Sequence, residues 1–217
     1  MAAPRPASRP EPCLYLVTPE IDDAAAFAGT LAAAMGAADV AAVLLRLRPD
    51  GENALTKRVK ALATIVQDKA AALVLYGHPD LVARAGADGA HLAEIEAFLA
   101  AAPGLKPERI AGAGGLVTRH DAMIAAENGA DYVMFGEPNA RGQRPAFDAI
   151  LERVQWWAEV FEAPCVGYAA RIEDVAPLAA AGADFIALGN CVWEDPRGAA
   201  AAMTDAASRL ALAEAGA

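Results

Sequence analysis

Two arginines spaced by two, Arg46 and Arg48, close an apolar run, and a third, Arg144, sits in the loop GEPNARGQRPAF over 136–147. A guanidinium is a permanent cation with a rigid fork of donors, so three of them around one opening suit a phosphate or carboxylate. Spacing by two sends Arg46 and Arg48 to one side of a strand. There each needs an anion or a carboxylate partner, and Glu137 and Glu96 offer the internal alternative. Other polar or small residues also follow apolar runs: Tyr76-Gly77-His78, His91 with Glu94 and Glu96, Gly112 with Gly114 and Gly115, Gly136, Tyr168 with Ala169 and Ala170, and Gly189-Asn190. Backbone N–H groups of the glycines at helix starts would add to an anion pocket. His91 reads either as a hydrogen-bonded structural histidine or as an acid–base group, and His78 and His120 as exposed. Glu94 and Glu96 suit a magnesium ion, or simply the start of a helix, where the dipole favours acids. The chain has no Ser-His-Asp, His-Glu-x-x-His or glycine-rich P-loop pattern, which leaves hydrolase, zinc-protease and nucleotide-hydrolysing readings without residues.

These groups need a frame. Eight short apolar runs, at 13–18, 40–47, 72–76, 89–92, 109–113, 132–135, 164–168 and 185–188, are near-continuous, as strands covered on both faces are. Helical segments lie between them, at 22–35, 53–69, 80–85, 94–101, 119–128, 147–161, 173–181 and 197–214. Strict alternation requires a parallel sheet with right-handed crossovers, and eight such units in 217 residues predict an α/β fold, a compact (β/α)8 TIM barrel. An open doubly wound sheet is the structural alternative. A Gly-Ala-Asp triplet precedes the fourth, sixth and eighth runs, in AGADGAHL, NGADYVMFG and AGADFIALG. Its glycine suits the left-handed end of a helix and its aspartate can accept backbone N–H bonds, so it belongs to the stability face of a barrel. A looser copy, Gly36-Ala37-Ala38-Asp39, precedes the second run.

Composition narrows the partners. The net charge of −10 carries no basic footprint, which argues against nucleic acid and leaves any phosphate recognition local. Cys13, Cys165 and Cys191 are far apart and form no Cys-x-x-Cys pair, which points to a reducing cytoplasm. Residues 1–12 read as a disordered, Pro- and Arg-rich tail ahead of one domain over 13–217. No apolar run is long enough for a membrane span. Trp156, Trp157 and Trp193 read as packing against the barrel or as a homodimer surface.

The segments LYLVTPE, GADGAHL, GADYVMFG and GADFIALG, in that order and spacing, resemble the thiamine phosphate synthase and TenI group of compact TIM barrels over roughly 13–193. The resemblance implies transfer of a pyrimidine diphosphate to a thiazole phosphate, with pyrophosphate released and Mg2+ assisting. It also implies a small phosphorylated heterocycle as partner. By the same resemblance Arg46, Arg48 and Arg144 are catalytic, and His91, Gly114, Gly136, Ala169, Ala170, Gly189 and Asn190 contact substrate or phosphate. Glu96 is the implied metal ligand. Several motif positions differ. The family's Gln-Leu-Arg-x-Lys reads Leu44-Leu45-Arg46-Leu47-Arg48, its Asn-Asp falls on Tyr76-Gly77, and its Gly-Gly after the seventh strand on Ala169-Ala170. The Val-Ser pair after the eighth strand becomes Gly189-Asn190, and the histidine that TenI-type tautomerases place ahead of the fifth helix becomes Val117. These replacements imply an alternative, a non-catalytic or differently catalytic anion-binding barrel descended from this family.

Overall fold

The computed structural model describes residues 10–139 and 141–215. The expected tail over 1–12 therefore lies, up to residue 9, outside the described residues. Eight parallel strands close into a barrel in sequence order: β1 (Cys13–Ile21), β2 (Val40–Leu47), β3 (Ala72–Tyr76), β4 (Gly89–Leu92), β5 (Ile110–Ala113), β6 (Tyr132–Phe135), β7 (Cys165–Ala169) and β8 (Phe185–Leu188). Pairing of Cys13 with Phe185 joins the last strand to the first, which excludes the open sheet. Around the strands run α1 (Ala24–Ala37), α2 (Glu52–Gln67), α3 (Val82–Ala85), α4 (Ile95–Leu105), α5 (Arg119–Glu127), α6 (Phe147–Val160), α7 (Val175–Ala180), α8 (Asn190–Trp193) and α9 (Ala199–Ala215), with single 3-10 turns at Pro79–Leu81 and Ile172–Asp174.

The apolar runs are continuous because each strand faces two cores. Tyr15, Val17, Leu44, Val74, Tyr132, Met134, Val166 and Tyr168 fill the barrel interior. The alternate residues, among them Leu14, Leu16, Val43, Leu45, Leu73 and Leu75, pack outward against the helices. Two elements differ from expectation. β1 runs on through Pro19 to Ile21, because a register shift between Val17 and Glu20 absorbs the proline, after which Glu20 pairs with Arg46 and Ile21 with Leu47. The short helix α8 carries no periodic pattern of its own. It is fixed by tertiary contacts: Trp193 Nε1 donates to the Val17 carbonyl at 2.7 Å, and its ring lies 5.0 Å from Phe27. Trp157 is fully buried and stacks on Phe161 at 4.1 Å, and Trp156 and Trp193 pack, partly buried, against the same core.

The three Gly-Ala-Asp triplets are one device used three times. Gly86, Gly129 and Gly182 adopt φ of 76°, 85° and 92°, the left-handed turn that ends α3, α5 and α7 without a Cβ penalty. Each aspartate then reaches across to the start of a neighbouring strand. Asp88 accepts from the Leu73 N–H at 2.7 Å, Asp131 from Ala111 at 2.8 Å, and Asp184 from Cys165 at 2.8 Å. The looser copy does not act this way, since Gly36 lies inside α1 and Asp39 is exposed. Asp131→Ala is expected to lower stability by about 1–3 kcal/mol, the cost of leaving a strand N–H unsatisfied. Asp39→Ala should change it by less than about 0.5 kcal/mol. Urea midpoints of the two variants measure the contrast.

Candidate functional site

The strand C-termini of such a barrel form its working face. Arg46 is the last inward residue of β2, continuing the series Ala42 and Leu44. Its backbone N–H is fixed by the buried Thr18 hydroxyl at 2.9 Å. Its guanidinium stands 5.4 Å from the centre of the Tyr76 ring and 3.7 Å from Glu20. Glu20, rather than the anticipated Glu137 or Glu96, is thus its ion-pair partner. That carboxylate is more than half exposed, so the pair holds Arg46 weakly. Arg46, Tyr76, Glu137 and Tyr168 line a narrow opening over Val17, Leu44 and Met134.

The other two arginines are placed differently. β2 ends at Leu47, so the alternation by two is lost before Arg48, which is exposed and lies 3.9 Å from Asp22, outside the lining of the mouth. Arg144 is half-buried and ties down its own loop. Its Nε donates to the Gly136 carbonyl at 2.6 Å and its Nη2 to the Tyr168 carbonyl at 2.7 Å, with the guanidinium 4.9 Å from the Tyr168 ring. Burial pulls its pKa below the ordinary arginine value, against opposing contributions from Tyr168, Asp174 and Cys191.

Beneath the opening runs a buried chain of hydrogen bonds that crosses the barrel. Tyr15 and Tyr132 join their hydroxyls at 2.8 Å, Tyr132 meets His91 Nδ1 at 3.0 Å, and His91 Nε2 lies 3.1 Å from Glu137 Oε2. Burial raises the pKa of both tyrosines far above the ordinary phenol value, so each keeps its proton. One arrangement serves every partner, as assigned from the network: Tyr15 donates to Tyr132, Tyr132 to Nδ1, and Nε2–H to the carboxylate. The Gly115 N–H also donates to Glu137. The His91 ring is stacked between Tyr76 and Tyr132, at centroid distances of 5.8 and 5.7 Å. Of the two readings of His91, the hydrogen-bonded one describes its geometry. Glu137, considered in the sequence only as a partner for Arg46, is the residue that joins this chain to the mouth.

The glycines after the strands make room for side chains. A Cβ on Gly114 would overlap the Glu137 carboxylate and the His91 ring, one on Gly112 the Tyr132 ring, and one on Gly189 the Tyr168 hydroxyl. The Gly114 N–H itself goes to the Leu92 carbonyl at 2.8 Å. Gly136, at φ 89°, turns the chain so that its carbonyl meets Arg144.

Ala170 and Asn190 belong to a separate cleft, with Arg171, Cys191, Arg197 and Arg209. The N–H groups of Ala170 and Arg171 both donate to Asp174 at 3.1 Å, and Arg197 is held by Asp195 and Asp205 at 2.8 Å each. Asn190 bonds Glu194 at 3.0 Å, and Ala169 is buried at the end of β7. Burial raises the Cys191 thiol, which disfavours a thiolate there. His120 is exposed as expected, whereas His78 is half-buried because the 3-10 turn folds back over β3, and burial lowers its pKa.

With this geometry in place, the comparisons with known proteins decide the lineage. A family model described as thiamine monophosphate synthase matches residues 14–192, from the first buried residue of β1 into α8. The chain belongs to the thiamine monophosphate synthase family. The thiamine-phosphate synthase of Rhodospirillum centenum is 42% identical over 200 residues, covering 88% of this chain and 94% of that protein. That of Hyphomonas neptunium is 37% identical over 211 residues, covering 93% of each. A solved structure, the thiamine phosphate pyrophosphorylase from Pyrococcus furiosus, superposes with a TM-score of 0.77 over 94% of this chain and 97% of that one; at 18% identity it shows the shared fold. No helix among the described residues is long and apolar enough to cross a membrane.

The magnesium ion that membership of the thiamine monophosphate synthase family implies does not fit the residues present. Where the family pattern has Asn-Asp after β3, this chain has Tyr76-Gly77, and burial pushes the Tyr76 phenol up and away from the anionic form. Glu96 is exposed on the first turn of α4. Glu137, the carboxylate at the mouth, is engaged by His91 and Gly115. Among the described residues no group of three His, Cys, Asp or Glu side chains can hold a metal. A hard divalent cation needs several oxygen ligands, and this donor set does not supply them.

Proposed function

We propose that this member of the thiamine monophosphate synthase family binds a small phosphorylated ring compound, or a similar small anion, at the barrel mouth without magnesium and without condensing two substrates. The observation that carries this reading is Arg46, inward at the end of β2, stacked over Tyr76 and ion-paired, among the described residues, only with the exposed Glu20. A guanidinium so placed offers its fork to an oxyanion, and the rings of Tyr76 and Tyr168 offer flat faces to a heterocycle. Tyr76 is the less buried of the two rings and is the wall that can yield to admit a ligand. Phosphoryl chemistry, by contrast, depends on neutralising charge on a departing pyrophosphate. The replaced positions after β3 and the self-satisfied N–H groups after β7 supply little toward that.

Titration calorimetry with thiazole phosphate in the presence of EDTA tests the proposal. Arg46→Gln is expected to weaken binding about tenfold or more, the loss of one charge-assisted contact. Arg48→Gln, outside the mouth, should change it by less than about twofold. Equal losses in both variants would remove the basis for the site.

The 42% identity with a thiamine-phosphate synthase over nearly the whole chain favours a second reading, joining of a pyrimidine diphosphate to thiazole phosphate with release of pyrophosphate. Product formed from both substrates with magnesium, above the uncatalysed background, would establish that reading and overturn the first.

A further inference from the structure

We infer that Glu137 makes the mouth selective for oxyanions that still carry a proton, namely hydrogen phosphate and the monoanion of a phosphate ester, over fully ionised ones such as sulfate. The inference rests on the binding role proposed for Arg46. Glu137 lines the same opening as that arginine, so an anion drawn to the guanidinium meets a carboxylate. Two bare anions in contact repel, at a cost that removes an order of magnitude or more in affinity. The repulsion becomes a hydrogen bond when the incoming anion brings an O–H that it donates to the carboxylate.

The carboxylate cannot turn away. Its side chain is 8% exposed, His91 Nε2 holds it at 3.1 Å, and the Gly115 N–H donates to its other oxygen. Gly114 packs so closely beneath it that no Cβ fits there. The groups that face it from the surrounding strands are Tyr15 from β1, Arg46 from β2, Tyr76 from β3, His91 from β4, Tyr132 from β6 and Tyr168 from β7. Arg144 stands behind Tyr168, and the carboxylates of Glu20 and Glu94 act on Tyr76 from outside. Arg46 and Glu137 therefore present the pattern of one donor fork and one acceptor, which a protonated oxyanion matches and sulfate does not.

The test uses the whole chain and two inorganic probes of similar size, phosphate and sulfate, titrated at one ionic strength. The wild type is expected to bind phosphate about tenfold or more tightly than sulfate. Glu137→Gln keeps an oxygen for His91 and replaces the oxygen that Gly115 addresses by an amide donor, so it should bring the two affinities within about twofold by strengthening sulfate. Methyl phosphate supplies a measurement that needs no variant. Its binding to the wild type should fall about tenfold as pH rises through its second ionisation near about 6, as the protonated form disappears. Equal binding of phosphate and sulfate by the wild type, or a flat methyl phosphate profile, would overturn the selectivity while leaving Arg46 as an anion site. Failure of all three probes to bind would overturn both.

Discussion

Glu137→Ala is expected to lower folding stability by about 3 kcal/mol, measured as a shift in the denaturant midpoint at constant slope. The deletion leaves the His91 Nε2–H without its acceptor inside the barrel, where His91 is fully buried. It also strips the Gly115 N–H of its partner. An unsatisfied buried donor costs its full desolvation, whereas the exposed Gly115 N–H can turn to water. Glu137→Gln retains an oxygen for the buried His91 Nε2–H and is expected to cost less than half as much. Equal losses in the two variants would mean that packing, rather than the hydrogen-bond chain, holds this part of the barrel.

Gly112→Ala should be comparably severe, at about 3 kcal/mol, although it adds a single methyl group. The Cβ it introduces falls where the ring and hydroxyl of Tyr132 lie. That ring cannot step aside, since it is buried, hydrogen-bonded to Tyr15 and His91, and stacked on the His91 imidazole. A double-mutant cycle separates overlap from any general effect on β5. When Tyr132→Ala empties the space, Gly112→Ala should become far less costly, giving a coupling of about 2 kcal/mol. Additive costs would show that the glycine matters for its backbone alone.

The barrel was legible in the sequence because its signals are local and repeated. Near-continuous apolar runs report strands covered on both faces, and each Gly-Ala-Asp reports a helix end followed by an aspartate that serves a neighbouring strand. The limits of that reading are instructive. Gly36-Ala37-Ala38-Asp39 resembles the triplet but lacks its adjacency, and its glycine lies within α1, which ends one residue later at Ala37. Pro19 marked an end to β1 that a register shift moved to Ile21. Helix α8 had no pattern to find, because the Trp193 contact with Val17 fixes it.

The site was legible only in part, for a physical reason. Residue type and alternation placed Arg46 correctly, since inward direction follows from the strand period. The same rule misplaced Arg48, because it holds only while the strand lasts, and β2 stops at Leu47. Glycines after the strands read naturally as anion-binding N–H donors. Their three-dimensional role is to admit Tyr132, Glu137 and Tyr168, which depends on neighbours far away in sequence. Glu137 carried one faint signal: a single carboxylate immediately after the apolar run YVMFG, at the working end of the barrel. What it meets there, His91 from β4 and Gly115 after β5, is decided by barrel closure and not by any local motif.

Whether the mouth works without a metal is settled most directly by titrating the wild-type chain with the pyrimidine diphosphate of the family reaction, once in magnesium and once in EDTA. The expected result is an affinity unchanged within about twofold between the two conditions and lowered by Arg46→Gln in both. Binding that arises only with magnesium would contradict it.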